Sequence, residues 1–205
     1  MANIDAAFGL RPYERSGSNY NNQGVNAYPI NFDGLTTGTT NKIWTGSPVK
    51  PLGSGLIDIV GAVSGGTVAL LGVFMGCKYT ALDGTPTWSA HYPGYAAIKA
   101  STEATAFVAD NPHALFVINA NAALPDNDLF INMDFATATT GNDTTGYSLA
   151  EADPSTRNTT ASLNLKVVGF DDQASTADGS VDKTAAGRLA IVKLNVQFMD
   201  STTGI

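Results

Sequence analysis

Ser162-Leu163-Asn164-Leu165-Lys166-Val167-Val168-Gly169-Phe170 places Leu163, Leu165 and Val167 at alternate positions. A period of two sends those three side chains to one face of an extended strand. The stretch Arg188-Leu189-Ala190-Ile191-Val192-Lys193-Leu194-Asn195-Val196-Gln197-Phe198 does nearly the same. Leu189 and Ile191 share a face, and so do Leu194, Val196 and Phe198, with a slip near Lys193 that reads as a bulge.

Working outward from these two, short β-branched or apolar segments predict further strands over 27–32, 42–44, 48–50, 56–60, 68–79, 104–109, 114–119 and 128–133. Turn formers separate them: Asp33-Gly34, Gly53-Ser54-Gly55, Ser64-Gly65-Gly66, Asp83-Gly84, Asp110-Asn111-Pro112 and Asp178-Gly179. Residues 90–106 and 147–153 have room for a helical turn or two, and no heptad or solenoid-length repeat occurs. The expected fold is all-β or nearly so, a barrel or sandwich, with an extended N-terminal arm.

That arm covers residues 1–24, and a β-rich core domain covers 25–205. Within the arm, Phe8, Leu10 and Tyr13 surround Arg11, ahead of Ser16-Gly17-Ser18-Asn19-Tyr20-Asn21-Asn22-Gln23-Gly24, which has almost nothing to bury. The arm reads either as a frayed end or as a contact segment that docks Phe8, Leu10, Arg11 and Tyr13 on a partner. Thr-, Asn- and Asp-rich stretches at about 137–160 read as exposed loops.

Charged residues are 14% of the 205, against a hydrophobic share of 43%. The chain is therefore not disordered by composition. Hydroxyl and amide side chains supply its polarity, which suits close contact with neighbours. The 11 Lys and Arg are scattered and the net charge is -7, so no basic stripe is offered to a phosphate backbone. The most apolar run, Val68 to Cys77, is interrupted by Gly72 and Gly76 and is too short to cross a bilayer as a helix. The opening residues lack the basic and apolar regions of a secretory signal, so synthesis in a host cytoplasm is expected.

Catalytic motifs are missing from the sequence. It contains no Gly-x-Ser-x-Gly, no phosphate-binding loop and no dinucleotide fingerprint. His91 and His113 stand far apart and read as loop and turn residues, and Cys77 reads as a buried small hydrophobe. Asp126-Asn127-Asp128 and Asp171-Asp172 offer oxygens but match no calcium loop. The three Glu residues, Glu14, Glu103 and Glu151, lie in no apolar setting. The chain is read as non-enzymatic, with no metal and no cofactor.

Three stretches resemble a group of virion proteins from marine and cyanobacterial tailed phages. They are Met1-Ala2-Asn3-Ile4-Asp5-Ala6-Ala7-Phe8-Gly9-Leu10-Arg11-Pro12; Gly46-Ser47-Pro48-Val49-Lys50; and Gly72-Val73-Phe74-Met75-Gly76-Cys77-Lys78-Tyr79, followed by Asp83-Gly84 and Trp88-Ser89. The likeness covers the N-terminal half and departs at Ala90-His91-Tyr92-Pro93-Gly94, where the group carries a Trp-Pro pair. It implies a capsid cement or decoration protein located on the phage head surface, with the major capsid protein as partner. A homotrimer is the first expectation for its assembly and a dimer the second. It implies no catalytic residue, and the scattered basic residues and short apolar run lead to the expectation of no direct nucleic-acid contact and no membrane. The alternative from another class is a fibre, tail or carbohydrate-binding module, in which Trp44, Trp88, Tyr92 and Tyr95 would form an exposed sugar platform.

Overall fold

A computed structural model of the chain describes residues 3–13, 24–32, 41–61, 69–172, 180–202 and 204–205. Of these residues 46% are in strands and 6% in short helical turns. The fold is all-β and sandwich-like, and its sheets do not close into a barrel.

Sixteen strands form in chain order: β1 (Arg11–Pro12), β2 (Asn26–Asn31), β3 (Ile43–Trp44), β4 (Pro48–Pro51), β5 (Ile57–Ile59), β6 (Gly72–Thr80), β7 (Pro86–Ser89), β8 (His91–Tyr92), β9 (Ala104–Ala109), β10 (Leu115–Asn119), β11 (Asn132–Ala136), β12 (Gly141–Asn142), β13 (Tyr147–Ser148), β14 (Glu151–Asn158), β15 (Leu165–Phe170) and β16 (Leu189–Leu194). The first large sheet has the order β1-β10-β16-β15-β11-β14. The second has the order β2-β9-β6-β4-β5, with β7 also paired to β6. Two small ribbons, β12-β13 and β3-β8, complete the set.

The alternation that predicted β15 is realised from Leu165 onward, while Leu163 lies in the turn before the strand. Leu165 and Val167 enter the main core with Phe116, Ile118, Met133, Ala190, Val192 and Leu194. In β16 the faces differ from the expectation: Ala190, Val192 and Leu194 point to the main core, while Leu189 and Ile191 point the other way. The irregularity lies in β15, between Val167 and Gly169, and not at Lys193. Both faces of β10 and β16 are buried, which is why β16 reads as a nearly continuous apolar run.

The cover on the second face is the N-terminal segment. Phe8 and Tyr13 pack on Val117, Leu189 and Ile191, and β1 pairs with β10 in the register Arg11↔Val117 and Pro12↔Phe116. The arm expected over residues 1–24 is thus corrected in its described part: residues 3–13 belong to the core domain. Residues 14–23 lie outside the described residues, as do the turns expected at Asp33-Gly34, Ser64-Gly66 and Asp178-Gly179. Gly9 makes the crossing possible. It sits at φ +74, and a Cβ there would lie 2.7 Å from the Gly46 carbonyl oxygen and 2.8 Å from Ser148 Cβ. That close approach lets the Leu10 amide donate to Gly46 O at 2.9 Å.

Two further corrections concern 137–160. Glu151–Asn158 is an eight-residue strand at the edge of the first sheet, not a loop. Residues 147–153 form no helical turn, whereas Tyr95–Ala97 does. The second sheet has its own core of Ile30, Val49, Phe74, Cys77, Ala106 and Val108, capped by Trp44 and Tyr92 from the β3-β8 ribbon.

Candidate functional site

The four residues expected to contact a partner do not form one exposed row. Leu10 is 1% exposed and belongs to the main core. Tyr13 is half-buried, and its backbone amide donates to Leu115 O at 2.8 Å. Phe8 is half-buried as well, with its ring under the Arg11 guanidinium at 4.1 Å. Only Arg11 is exposed, and its guanidinium also lies 5.6 Å from the Tyr147 ring. These two cation–π contacts help hold the guanidinium in place.

Phe8 and Arg11 line a surface groove of about 640 Å³ between the N-terminal segment and the β12-β13 ribbon. Ile4, Tyr147 and Leu149 lie along it and are exposed, and Asp171, Asn142 and Thr145 supply polar atoms. Exposed apolar side chains around a concavity that also offers polar atoms are the usual marks of an interaction surface. Ile4 stands in the opening segment outside the four expected contact residues, and Tyr147 and Leu149 fall in the stretch 147–153 that the sequence reads as room for a helical turn among Thr-rich loops. The alternation Tyr147-Ser148-Leu149 was the available signal, with Ser148 buried and its two neighbours exposed.

The wall of the groove is rigidly tied. Asn3 Nδ2 donates to the carbonyls of Asp182 at 2.7 Å and Ala186 at 2.9 Å, and the Asp182 amide donates to Asn3 Oδ1 at 2.8 Å. Buried Asn119 donates to Asp5 Oδ1 at 3.0 Å and to Glu151 Oε1 at 2.9 Å. Burial raises the Glu151 carboxyl above its ordinary value; the Asn119 hydrogen bond opposes that shift and the Asp5 charge adds to it. One amide therefore holds two carboxylates side by side, one from the segment and one from β14.

The acidic spots weighed in the sequence are occupied by arginines. Arg188, 1% exposed, donates from Nε and Nη2 to both oxygens of Asp172 at 2.8 and 2.9 Å, and from Nη2 to Asp126 at 2.9 Å. Its Nη1 donates to Leu124 O at 2.7 Å, and its guanidinium lies 3.7 Å over the Phe170 ring. Hydrogen bonds from Lys183 and Arg188 hold the Asp126 carboxyl below its usual range. Asp128 is paired with Arg157 at 3.2 Å. Among the described residues no group of three or more His, Cys, Asp or Glu is placed to hold a metal ion. Burial pushes the Cys77 thiol up to about 12, which leaves it un-ionised at neutral pH. His113 occupies the expected turn, and His91 lies in β8 opposite Trp44 instead of in a loop.

The aromatic platform is dispersed. Trp44 and Tyr92 are buried, Trp44 Nε1 donates to Asp143 at 2.9 Å, and Tyr95 is half-buried. Trp88 alone of the four is exposed. Phe130 is also exposed, on a backbone at φ +69 that non-glycine residues rarely adopt. No helix among the described residues is long and apolar enough to cross a membrane. No protein-family model, curated protein or solved structure matches the chain.

Proposed function

We propose that the chain is a structural component of a tailed-phage particle, of the cement or decoration kind, that seats on the assembled head through its N-terminal groove. One observation carries this reading. The opening stretch that resembles phage virion proteins supplies a wall of the groove, with Phe8, Arg11 and exposed Ile4 facing Tyr147 and Leu149. Burying such side chains contributes roughly 1.5–3 kcal/mol each when it is complete. The segment is already ordered on its own sheet, so docking does not bear the cost of ordering a free arm, about 1–2 kcal/mol per residue.

The partner is the major capsid protein, and the bound state exists only where two or more of its copies form the site. Such a ligand stabilises the assembled shell by mass action. Symmetry repeats a modest interface over many copies, with a trimer at three-fold positions the first choice and a dimer the second. The test is co-sedimentation with empty shells of the double variant Ile4→Asp/Tyr147→Asp. The expected result is at least about a tenfold loss of binding with an unchanged melting temperature. Undiminished binding by a folded variant removes the groove from the interface, and a wild-type chain that does not bind shells removes the reading.

A further inference from the structure

The outer face of the second sheet departs from the polar side chains that a solvated strand face calls for. Register puts Trp88 opposite Lys78 and Lys78 opposite Thr105, so these three share that face. Two positions along, Phe107 lies opposite Gly76, next to the register shift between Phe74 and Gly76. Gly76 has no side chain to separate its neighbours, and the Trp88 indole reaches across β6 onto Phe107. The two rings are stacked, 4° from parallel with centroids 5.3 Å apart. Trp88 nevertheless remains 72% exposed. Phe107 therefore supports one side of the indole, and the opposite side is offered to solvent.

The support is stiff. The β6-β7 turn is closed by the Ala81 amide on Thr85 O at 2.9 Å, the Gly84 amide on Ala81 O at 2.9 Å and the Thr85 amide on Asp83 Oδ1 at 2.9 Å. Beside the indole is a hollow of about 200 Å³ lined by Lys78, Thr80, Thr87, Trp88 and Glu103 among others. The Glu103 carboxylate is steadied by the Thr105 hydroxyl, which donates to it at 2.9 Å. An aromatic plate is thus bordered by an ammonium and a carboxylate.

We propose that this hollow is a glycan subsite that stacks a β-linked, gluco-configured pyranose on Trp88, with Lys78 and Glu103 bonding its hydroxyls. In that sugar every ring substituent is equatorial. Both ring faces present only axial C–H groups, which suit the electron-rich face of an indole. The hydroxyls radiate in the ring plane, where they meet the donor and the acceptor at the border. An apolar protein knob on the same plate would desolvate Lys78 and Glu103 without satisfying either. This pairing of needs favours a sugar over a hydrophobic side chain.

The experiment is saturation-transfer NMR on the full chain with cellotetraose, with maltotetraose as the α-linked control, alongside tryptophan emission. The chain has two tryptophans, and Trp44 is buried, so solvent-exposed emission reports on Trp88. A saturable response to cellotetraose, in the millimolar range expected of one stacked ring, supports the subsite. Trp88→Ala should abolish it without lowering the melting temperature, and Glu103→Gln should weaken it by roughly three- to tenfold. If Trp88→Ala does not fold, Trp88→Phe is decisive: weaker binding supports the role of the indole, and undiminished binding overturns it. No saturable response, an equal response from Trp88→Ala, or a preference for maltotetraose each overturns the proposal. Loss of shell binding in Trp88→Ala without any sugar response also overturns it and makes the ring a protein contact. Because the sugar assay uses the free chain, its failure leaves the shell reading standing.

Discussion

Leu10→Ala separates a segment that belongs to the core from an arm that merely follows it. Leu10 is 1% exposed and sits among the residues that fill the first sheet. The substitution removes three carbon atoms, worth about 0.8 kcal/mol each in transfer, or about 2.4 kcal/mol together. The hole left behind adds to this, because β10 and β16 are fixed by pairing on both sides and cannot close over it. The total is about 3 kcal/mol, inside the range of roughly 2–5 measured for buried Leu→Ala changes. For a chain of this size it lowers the melting temperature by about 6–12 °C. Urea unfolding followed by circular dichroism measures the first figure and a thermal scan the second. Phe8→Ala, at a half-buried position, is the internal comparison and should cost about 1–2 kcal/mol. A loss below about 0.5 kcal/mol for Leu10→Ala, the level of ordinary surface changes, would refute the packing argument and return residues 3–13 to the status of a free arm.

Gly9→Ala forces a side chain into φ +74, where its Cβ meets Gly46 O at 2.7 Å; a loss of about 2 kcal/mol or more is expected, while Gly24→Ala, with nothing within 4 Å, stays near neutral in the same melts. Arg188→Ala gives up the Phe170 stack and orphans the Leu124 carbonyl. Its partner side chains Asp126 and Asp172 are 62% and 38% exposed and can rehydrate. The cost should therefore be about 2–3 kcal/mol by urea titration, short of the roughly 3–5 for a fully buried pair. Glu151→Gln keeps a partner for Asn119 and removes a charge beside Asp5. The folded Glu151 carboxyl is raised, so its ionised form destabilises the fold at neutral pH, and that penalty vanishes once pH falls below the unfolded value of about 4.3. Melts should show Glu151→Gln above wild type at neutral pH and level with it below about pH 4; a gain that persists in acid would contradict this assignment.

Alternation made the central strands legible, because it is a local property. Residues 104–109 were bounded by sequence as they stand in β9, and those of β10 and β6 within a few residues. Bulges were not legible in the same way. The slip assigned to Lys193 belongs to its partner strand at Val167 to Gly169, since a register shift is a property of a pair and only one member showed a break in pattern. β14 escaped notice for a related reason. Glu151-Ala152-Asp153-Pro154 buries Ala152 and Pro154, residues too small or too turn-prone to mark an apolar face, and Pro154 itself suits an edge where one side of the ladder is unpaired.

The groove shows the same limit at longer range. Phe8 and Arg11 stood out in sequence as an apolar and cationic pair, yet their role depends on Tyr147, more than a hundred residues away, and on the Gly9–Gly46 crossing that brings the two segments together. Nothing local in Thr144-Thr145-Gly146-Tyr147 announces that contact. Gly146 sits at φ +75, and a Cβ there would lie 2.8 Å from Ala90 Cβ, so the tight return that presents Tyr147 needs glycine for lack of room. The glycines at 9, 46 and 146 thus have a shared consequence. Each removes a side chain where two chain segments must nearly touch, and together they hold the opening segment against the β3-β4 corner and beside the β12-β13 ribbon, with which it walls the groove. The chemistry of the surface comes from its aromatic and cationic residues, but its shape comes from residues that contribute no side chain at all.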